Sequence, residues 1–386
     1  MSIIKRQQNH LDWSVLLHEA VRLLQFMVAI DTSQGTEVVL AEHIARVLYK
    51  EGIYAKVYEP QKGRGSLVAH LPGGNRPPLV LLSHLDTAPA GESKWPFPPY
   101  SGDLKDGEIR GRGAIDCKGL AVAHLAVLLA INRLGIRLDR DIYLVSSAGE
   151  EEGGTVGAAW LLARHPKLRA AEYVLSEGGG FGFETASGRY HLCQVGEKGR
   201  LSLSVRSDIP VETILNYARV LVGKIKSLEE LPESTELKNK LDLGRILSNT
   251  VRNHGSEVIF ELLPGTDLER LFEDFTSFIR KQDPNARIVI QEWAEGTISK
   301  TDTFLYEALK RETYKIGGAG TVPYITPGYS DNRFFRSQGI KVYGYQPLLP
   351  DCKPSWIHGV GERISLSSLQ FGIKLLFNII TAAFRV

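Results

Sequence analysis

Pro78-Leu79-Val80-Leu81-Leu82 runs without a break into Ser83-His84-Leu85-Asp86. Five apolar residues in a row are strand length, and with no polar alternation they read as a strand covered on both faces, as in a sheet packed between helices. The polar residues that follow fall where that strand ends. Upstream, apolar residues recur at helical spacing from Val15 to Ile30 and again from Glu37 to Tyr49, with Gly52 as the stop signal. Downstream come a helix from Lys118 to Leu134, a strand from Asp141 to Ser147, a helix from Thr155 to Arg164 and a strand from Tyr173 to Ser176. This alternation predicts an α/β fold, a mixed and mostly parallel sheet flanked by helices.

The pattern changes after Gly196. A strand-like run from Arg200 to Arg206 precedes a helix from Val211 to Lys226, β-like runs from Leu243 to Val251 and Glu257 to Leu263, a helix from Asp267 to Arg280 and a strand from Ala286 to Gln291. The order β-α-β-β-α-β is the split ferredoxin-like unit, and about a hundred residues suffice for an independent domain. Helix and strand signals return with Val342 to Tyr345 and a long amphipathic helix from Leu366 to Phe384. The expected organisation is a discontinuous domain of residues 1–196 and 300–386, interrupted by an α+β insertion at 197–299.

Composition excludes several classes. The 46 basic and 44 acidic residues are spread evenly and leave a formal net charge of +2, so no basic stripe for nucleic acid and no polybasic membrane patch is expected. Cys117, Cys193 and Cys352 are odd in number and lack Cys-x-x-Cys spacing, which argues against a disulfide framework or a thiolate zinc site. The segment from Met1 to Trp13 is polar, and no run approaches the roughly 20 apolar residues of a membrane span. A cytoplasmic protein is expected.

Carboxylates and imidazoles recur where strands end, the place where open α/β sheets bind ligands. His84 and Asp86, two apart in an extended segment, point the same way, so one can ligate a metal while the other orients it. Asp116, in Gly111-Arg112-Gly113-Ala114-Ile115-Asp116-Cys117-Lys118-Gly119, can offer an oxygen to each of two metals or can cap the following helix. Glu150-Glu151-Glu152 between glycines can supply a ligand and a base, or form a solvated acidic loop. Ser176-Glu177-Gly178-Gly179-Gly180 places a further carboxylate beyond the next strand.

From Ser83 to Ser365 the order and wording of these segments resemble the zinc aminoacylase, carboxypeptidase S and glutamate carboxypeptidase family of co-catalytic metallopeptidases. The resemblance implies His84 as ligand with Asp86 supporting it, Asp116 bridging two ions, Glu150 as general base, and Glu151 and Glu177 as ligands. The closing motif, Trp356-Ile357-His358-Gly359-Val360-Gly361-Glu362-Arg363, adds His358 as ligand. Two divalent ions would be balanced by three carboxylates and a hydroxide. Nitrogen and oxygen ligation without sulfur suits zinc, with cobalt or manganese as other occupants. The implied reaction is hydrolysis of an amide next to a carboxylate, as in an N-acyl amino acid deacylase or a dipeptidase or carboxypeptidase. The ions acidify a bridging water, and Glu150 passes its proton to the leaving amine. Substrates would be N-acyl amino acids or short peptides, and the insertion would act as a lid and pair subunits into a homodimer.

The chain departs from the family early in the insertion. Ser204 to Glu212 is shortened and lacks the histidine that helps hold the oxyanion; His254, in a turn-like Arg252-Asn253-His254-Gly255, is either a substitute or, the commoner case, a polar turn residue. A metal-binding protein with weakened catalysis is the alternative reading. Pro327-Gly328-Tyr329-Ser330-Asp331-Asn332-Arg333 resembles the stretch near the substrate carboxylate, which Arg333 can clamp in bidentate fashion or, equally, spend on a surface ion pair.

Overall fold

The computed structural model describes residues 11–186, 188–223 and 249–386. The expected helix end at Lys226 and the first part of the run beginning at Leu243 lie outside the described residues. Chain order is α1 (Trp13–Val28), α2 (Glu37–Lys50), β1 (Tyr54–Gln61), β2 (Arg64–Leu71), β3 (Arg76–His84), β4 (Asp103–Lys105), β5 (Glu108–Arg110), α3 (Lys118–Leu134), β6 (Arg140–Ser147), α4 (Ala158–Arg164), α5 (Pro166–Arg169), β7 (Tyr173–Ser176), β8 (Gly182–Thr185) and β9 (Gly188–Glu197). It continues with β10 (Gly199–Arg206), α6 (Val211–Gly223), β11 (Thr250–His254), β12 (Glu257–Leu262), α7 (Leu268–Gln282), β13 (Arg287–Ala294), β14 (Thr297–Ile298), α8 (Phe304–Gly317), β15 (Ala319–Thr326), α9 (Asn332–Arg336), β16 (Lys341–Gly344), β17 (Arg363–Ser365) and α10 (Leu366–Phe384).

Two compact units result: Met1–Cys193 with Lys300–Val322 and Ser330–Val386, and Gln194–Ser299 with Pro323–Tyr329. The segment 323–329, assigned to the larger domain from the sequence, thus groups with the smaller unit.

In the larger unit the main sheet has the order β1-β2-β6-β3-β7-β16-β9. Pairing is parallel for β3 with β6, β3 with β7 and β7 with β16. It is antiparallel for β1 with β2, β2 with β6 and β8 with β9. The sheet is therefore mixed, with parallel pairs among β6, β3, β7 and β16 and antiparallel pairs at β1 and β2. The cause is local: β1 and β2 are joined only by Lys62 and Gly63, the latter at φ +85°, and so short a connection permits only an antiparallel return.

Helix α3 is buried from Leu120 through Ile131 because it packs against the sheet on one side and α1 and α10 on the others, so its sequence is apolar all round. Gly135 ends it in the left-handed region. One helix, α10, is long and apolar enough to cross a membrane by length and composition, at 19 residues and a mean hydropathy of 1.4, which the sequence reading had excluded. Leu369, Ile373, Leu376 and Ile380 on it are buried, and it packs on α3 and α8 as a core helix.

The smaller unit has a four-stranded antiparallel sheet in the order β11-β12-β10-β13, the strand order of the split β-α-β-β-α-β unit. Alternate residues Leu201, Leu203 and Val205 of β10 face a core shared with Ile214 and Leu215 of α6 and Phe275 and Ile279 of α7. Phe260 meets Phe275 edge to face at 5.3 Å between centroids.

Candidate metal centre

β3, β6 and β7 are adjacent and parallel, so their carboxyl ends share one edge of the sheet. His84 is the last residue of β3, Glu150 and Glu151 follow β6, and Glu177 follows β7 directly. Topology alone thus brings together three segments that are far apart in sequence.

His84 is buried, and its Nε2 lies 3.1 Å from Asp116 Oδ1 and 3.3 Å from Glu177 Oε2. Its Nδ1 faces the Asp86 backbone carbonyl at 3.0 Å and Asp86 Oδ1 at 3.4 Å. Asp86 therefore orients the ring chiefly through its main chain. Its Oδ2 instead accepts the Glu151 N–H at 2.9 Å and ties β3 to the acidic loop. Asp116 does not cap α3: the N-cap is Cys117, without a side-chain cap bond. The second oxygen of Asp116 is 3.1 Å from His358 Nε2, which also lies 3.0 Å from Glu151 Oε1. Asp116 is thus flanked by one imidazole on each oxygen. His358 is half exposed and sits at φ +55°, a backbone region sparsely used outside glycine.

The acidic run divides. Glu152 is exposed and paired with Arg64, while Glu150 and Glu151 turn inward, each offering an oxygen within 4.8 Å of a His84 nitrogen. Two further groupings within the same reach are His84, Asp116, Cys117 and Glu177, and Asp116, Glu151 and His358. Cys117 was not expected there, because single-cysteine spacing carries no ligand signal. Burial and the Glu177 carboxylate push its thiol well above the usual range, which keeps it neutral.

Crowding shapes the electrostatics. Burial, then the neighbouring Glu177 charge, pushes Glu150 well above the ordinary carboxylate range. Burial pushes Glu177 up to about 7 and Asp331 likewise to about 7. Burial also opposes ionisation of Asp116, but hydrogen bonds from His358 and His84 outweigh it and hold Asp116 low. His358, hydrogen-bonded to Asp116 and Glu151, is raised to about 10. Asp331 was missed as a member of this group: it accepts from Ser147 Oγ at 2.7 Å through Oδ2, while its buried Oδ1 has no hydrogen-bond partner among the described residues.

Two expected substrate residues lie differently. Arg333 donates through Nη2 to the Gly153 carbonyl at 2.9 Å and lies over the Phe334 ring, an attachment to the acidic loop. His254 is exposed at the end of β11, paired in register with Glu257 across the Gly255 turn of the smaller unit. A cavity of about 440 Å³ lies between α1, α2 and α3, lined by Leu16, Leu23, Phe26, Val47, Leu125 and Leu129, and shares no residue with the carboxylate cluster.

Residues 80–382 match the model of the peptidase family M20/M25/M40. The chain belongs to that family. Among its M20 relatives is a probable succinyl-diaminopimelate desuccinylase of Staphylococcus epidermidis, 25% identical over 261 residues, which cover 62% of this chain and 64% of the relative. The chain thus spans less than two thirds of that protein's length. Aminoacylase-1 of Sus scrofa is 23% identical over 398 residues and 95% of both chains. In fold, the M20 metallo-carboxypeptidase Sso-CP2 of Sulfolobus solfataricus superposes with a TM-score of 0.71 at 18% identity, over 94% of this chain and 98% of that one. Human carnosine dipeptidase 1 does so with a TM-score of 0.67 at 17% identity, over 95% and 96%.

Proposed function

We propose that this chain is a hydrolase of amide bonds next to a carboxylate, of the N-acyl amino acid deacylase or dipeptidase and carboxypeptidase type, working with two divalent cations. The observation that carries the reading is the convergence of His84, Asp116, Glu151, Glu177 and His358 around the two oxygens of Asp116, with Glu150 beside them.

The residues fit a cation pair. Nε2 of His84 has carboxylate oxygens of two different residues within 3.3 Å, an arrangement that a shared cation satisfies and one ring proton cannot. His84, Asp116 and Glu177 would hold one ion and Asp116, Glu151 and His358 the other. The nitrogen and oxygen set favours zinc, with cobalt or manganese also compatible. Bound cations supply Lewis acidity toward the attacking water and the scissile carbonyl.

The protein's own part is proton transfer and orientation. Glu150, beside the ligand cluster, takes a proton from the attacking water and delivers it to the amine nitrogen as the C–N bond breaks. Asp86 fixes the His84 ring so that Nε2 faces inward. Arg333 is assigned to the substrate carboxylate because it closes the Pro327–Arg333 stretch and is anchored beside the acidic loop through the Gly153 carbonyl. The smaller unit is assigned as a lid and as a dimer contact. Its edge strand β13 exposes Val289, Ile290 and Trp293, which favours a second copy of the chain. His254 is the lid's candidate oxyanion donor. The three cysteines are free and buried, which suits a reducing, cytoplasmic setting.

The missing histidine between Ser204 and Glu212 motivates the second reading, a metal-binding family member with weakened catalysis. A titration of chelator-stripped protein with Zn²⁺, followed by a panel of N-acyl amino acids and dipeptides, separates the two. Cation binding with no turnover of any panel member selects the second reading, and no cation binding refutes both.

A further inference from the structure

Glu362 lies four residues after His358 and immediately before β17, fully buried. Its Oε1 accepts the N–H groups of Ile115 at 2.8 Å and Asp116 at 2.9 Å. Its Oε2 accepts the Gly113 N–H at 3.0 Å and Arg112 Nη1 at 2.8 Å. The Glu362 backbone carbonyl takes the Gly111 N–H at 2.9 Å. Every side-chain bond of Glu362 therefore goes to residues 112–116, the turn that presents Asp116. The chain delivers Glu362 there because β17 pairs with β5 in register, Arg363 opposite Arg110.

We infer that Glu362 is a positioning residue that locks the turn bearing Asp116 to the loop bearing His358, and so sets the affinity for the cation those two side chains share. The inference deepens the proposed function and rests on its metal-centre reading.

A carboxylate has about four good acceptor positions, and here all four are filled. No neutral side chain does this: glutamine offers one acceptor oxygen, and its NH₂ would face N–H donors of the turn. Arg112, also buried and lying over the Trp95 ring at 5.1 Å, neutralises Glu362. The clamp therefore adds no net charge to a cluster already crowded with acids. Partners that orient metal ligands in this way are worth 10- to 100-fold in metal affinity. The β5–β17 ladder by itself holds the two segments near each other, so a purely structural role predicts unchanged cation binding once the protein is folded.

The test is a Co²⁺ titration of the full-length, chelator-stripped chain, read by calorimetry and by visible absorption, which reports coordination geometry. Wild type takes about two equivalents. Glu362→Gln, with wild-type far-UV dichroism, loses about 10- to 100-fold in affinity for the weaker equivalent and shows displaced absorption bands. Glu362→Asp keeps the charge but is one methylene shorter, and recovers part of the loss. Wild-type affinity and bands in both variants overturn the clamp while leaving the metal centre standing. Failure of the wild type itself to take up Co²⁺ refutes the underlying reading. Should Glu362→Gln not fold, Glu362→Asp decides alone: weakened binding supports the clamp, and unchanged binding overturns it.

Discussion

His124 lies inside α3, fully buried, and neither ring nitrogen has a hydrogen-bond partner among the described residues. Burial alone pushes its pKa from 6.5 down to about 3. The folded imidazole is thus neutral through a range in which the unfolded one takes up a proton. With the folded value depressed, the group's contribution is intact above the unfolded pKa and is lost as pH falls from about 6.5 toward about 3. At pH 5 the unfolded ring sits about 1.5 units below its pKa, which amounts to about 2 kcal/mol, and at pH 7.5 the effect is close to zero. His124→Leu roughly conserves volume and removes two unsatisfied polar atoms, so the variant should be at least as stable as wild type at pH 7.5. The stability gap should then widen by about 2 kcal/mol in the variant's favour at pH 5. Urea unfolding of the metal-free proteins at both pH values, with a common m-value, measures the gap, and all other titrating groups cancel in the difference. A gap that does not move with pH refutes the reasoning, as does a variant destabilised at pH 7.5.

Glu150→Gln should keep its cations but lose about 10²- to 10⁴-fold in kcat, and normal turnover would falsify the base assignment. Chelation should lower the melting temperature, because a cation at a hundredfold excess over its Kd adds about 2.7 kcal/mol per site; identical scans with and without chelator contradict a metal centre. Arg333→Lys should raise KM about tenfold, or about 1.4 kcal/mol, for substrates with a free carboxylate and not for their carboxamides. An equal fall in kcat for both would instead tie Arg333 to its Gly153 bond. In the smaller unit, Phe275→Ala should cost about 3 to 5 kcal/mol by denaturant unfolding, since the ring is fully buried against Phe260.

What the sequence made legible followed from periodicity. The helix from Lys118 to Leu134 and the strand from Tyr173 to Ser176 emerge with the expected bounds, because length separates them: the first apolar stretch is long enough for a helix and the second only for a strand. The strands β1 and β2 did not stand out: β1 is half exposed and carries Lys56 and Glu59 among its apolar residues, which blurs a period of two. The antiparallel pairing of β1 and β2 was illegible for the same reason. Site residues at strand ends were visible because short glycine-flanked motifs mark them. Glu362 and Asp331 were not, since their partners lie some 250 and 180 residues away and only folding brings them together.

The carboxylate cluster is hard to explain as a device for stability. Its neighbours include several cations, yet each named one is committed elsewhere. Lys118, two residues from Asp116, donates through Nζ to the carbonyls of Met27 and Ile30. Arg112 is bound to Glu362, and Arg64 to Glu37 and Glu152. Of the charged neighbours named, that leaves His84 and His358 against Asp116, Glu150, Glu151, Glu177 and Asp331, crowded where burial opposes the ionisation of Glu150, Glu177 and Asp331 and unpaired charge is costly. Selection for stability alone would replace such a group with apolar residues. A fold that spends its strand ends on acids, and turns its lysine and arginines aside, is arranged to receive positive charge from outside the chain.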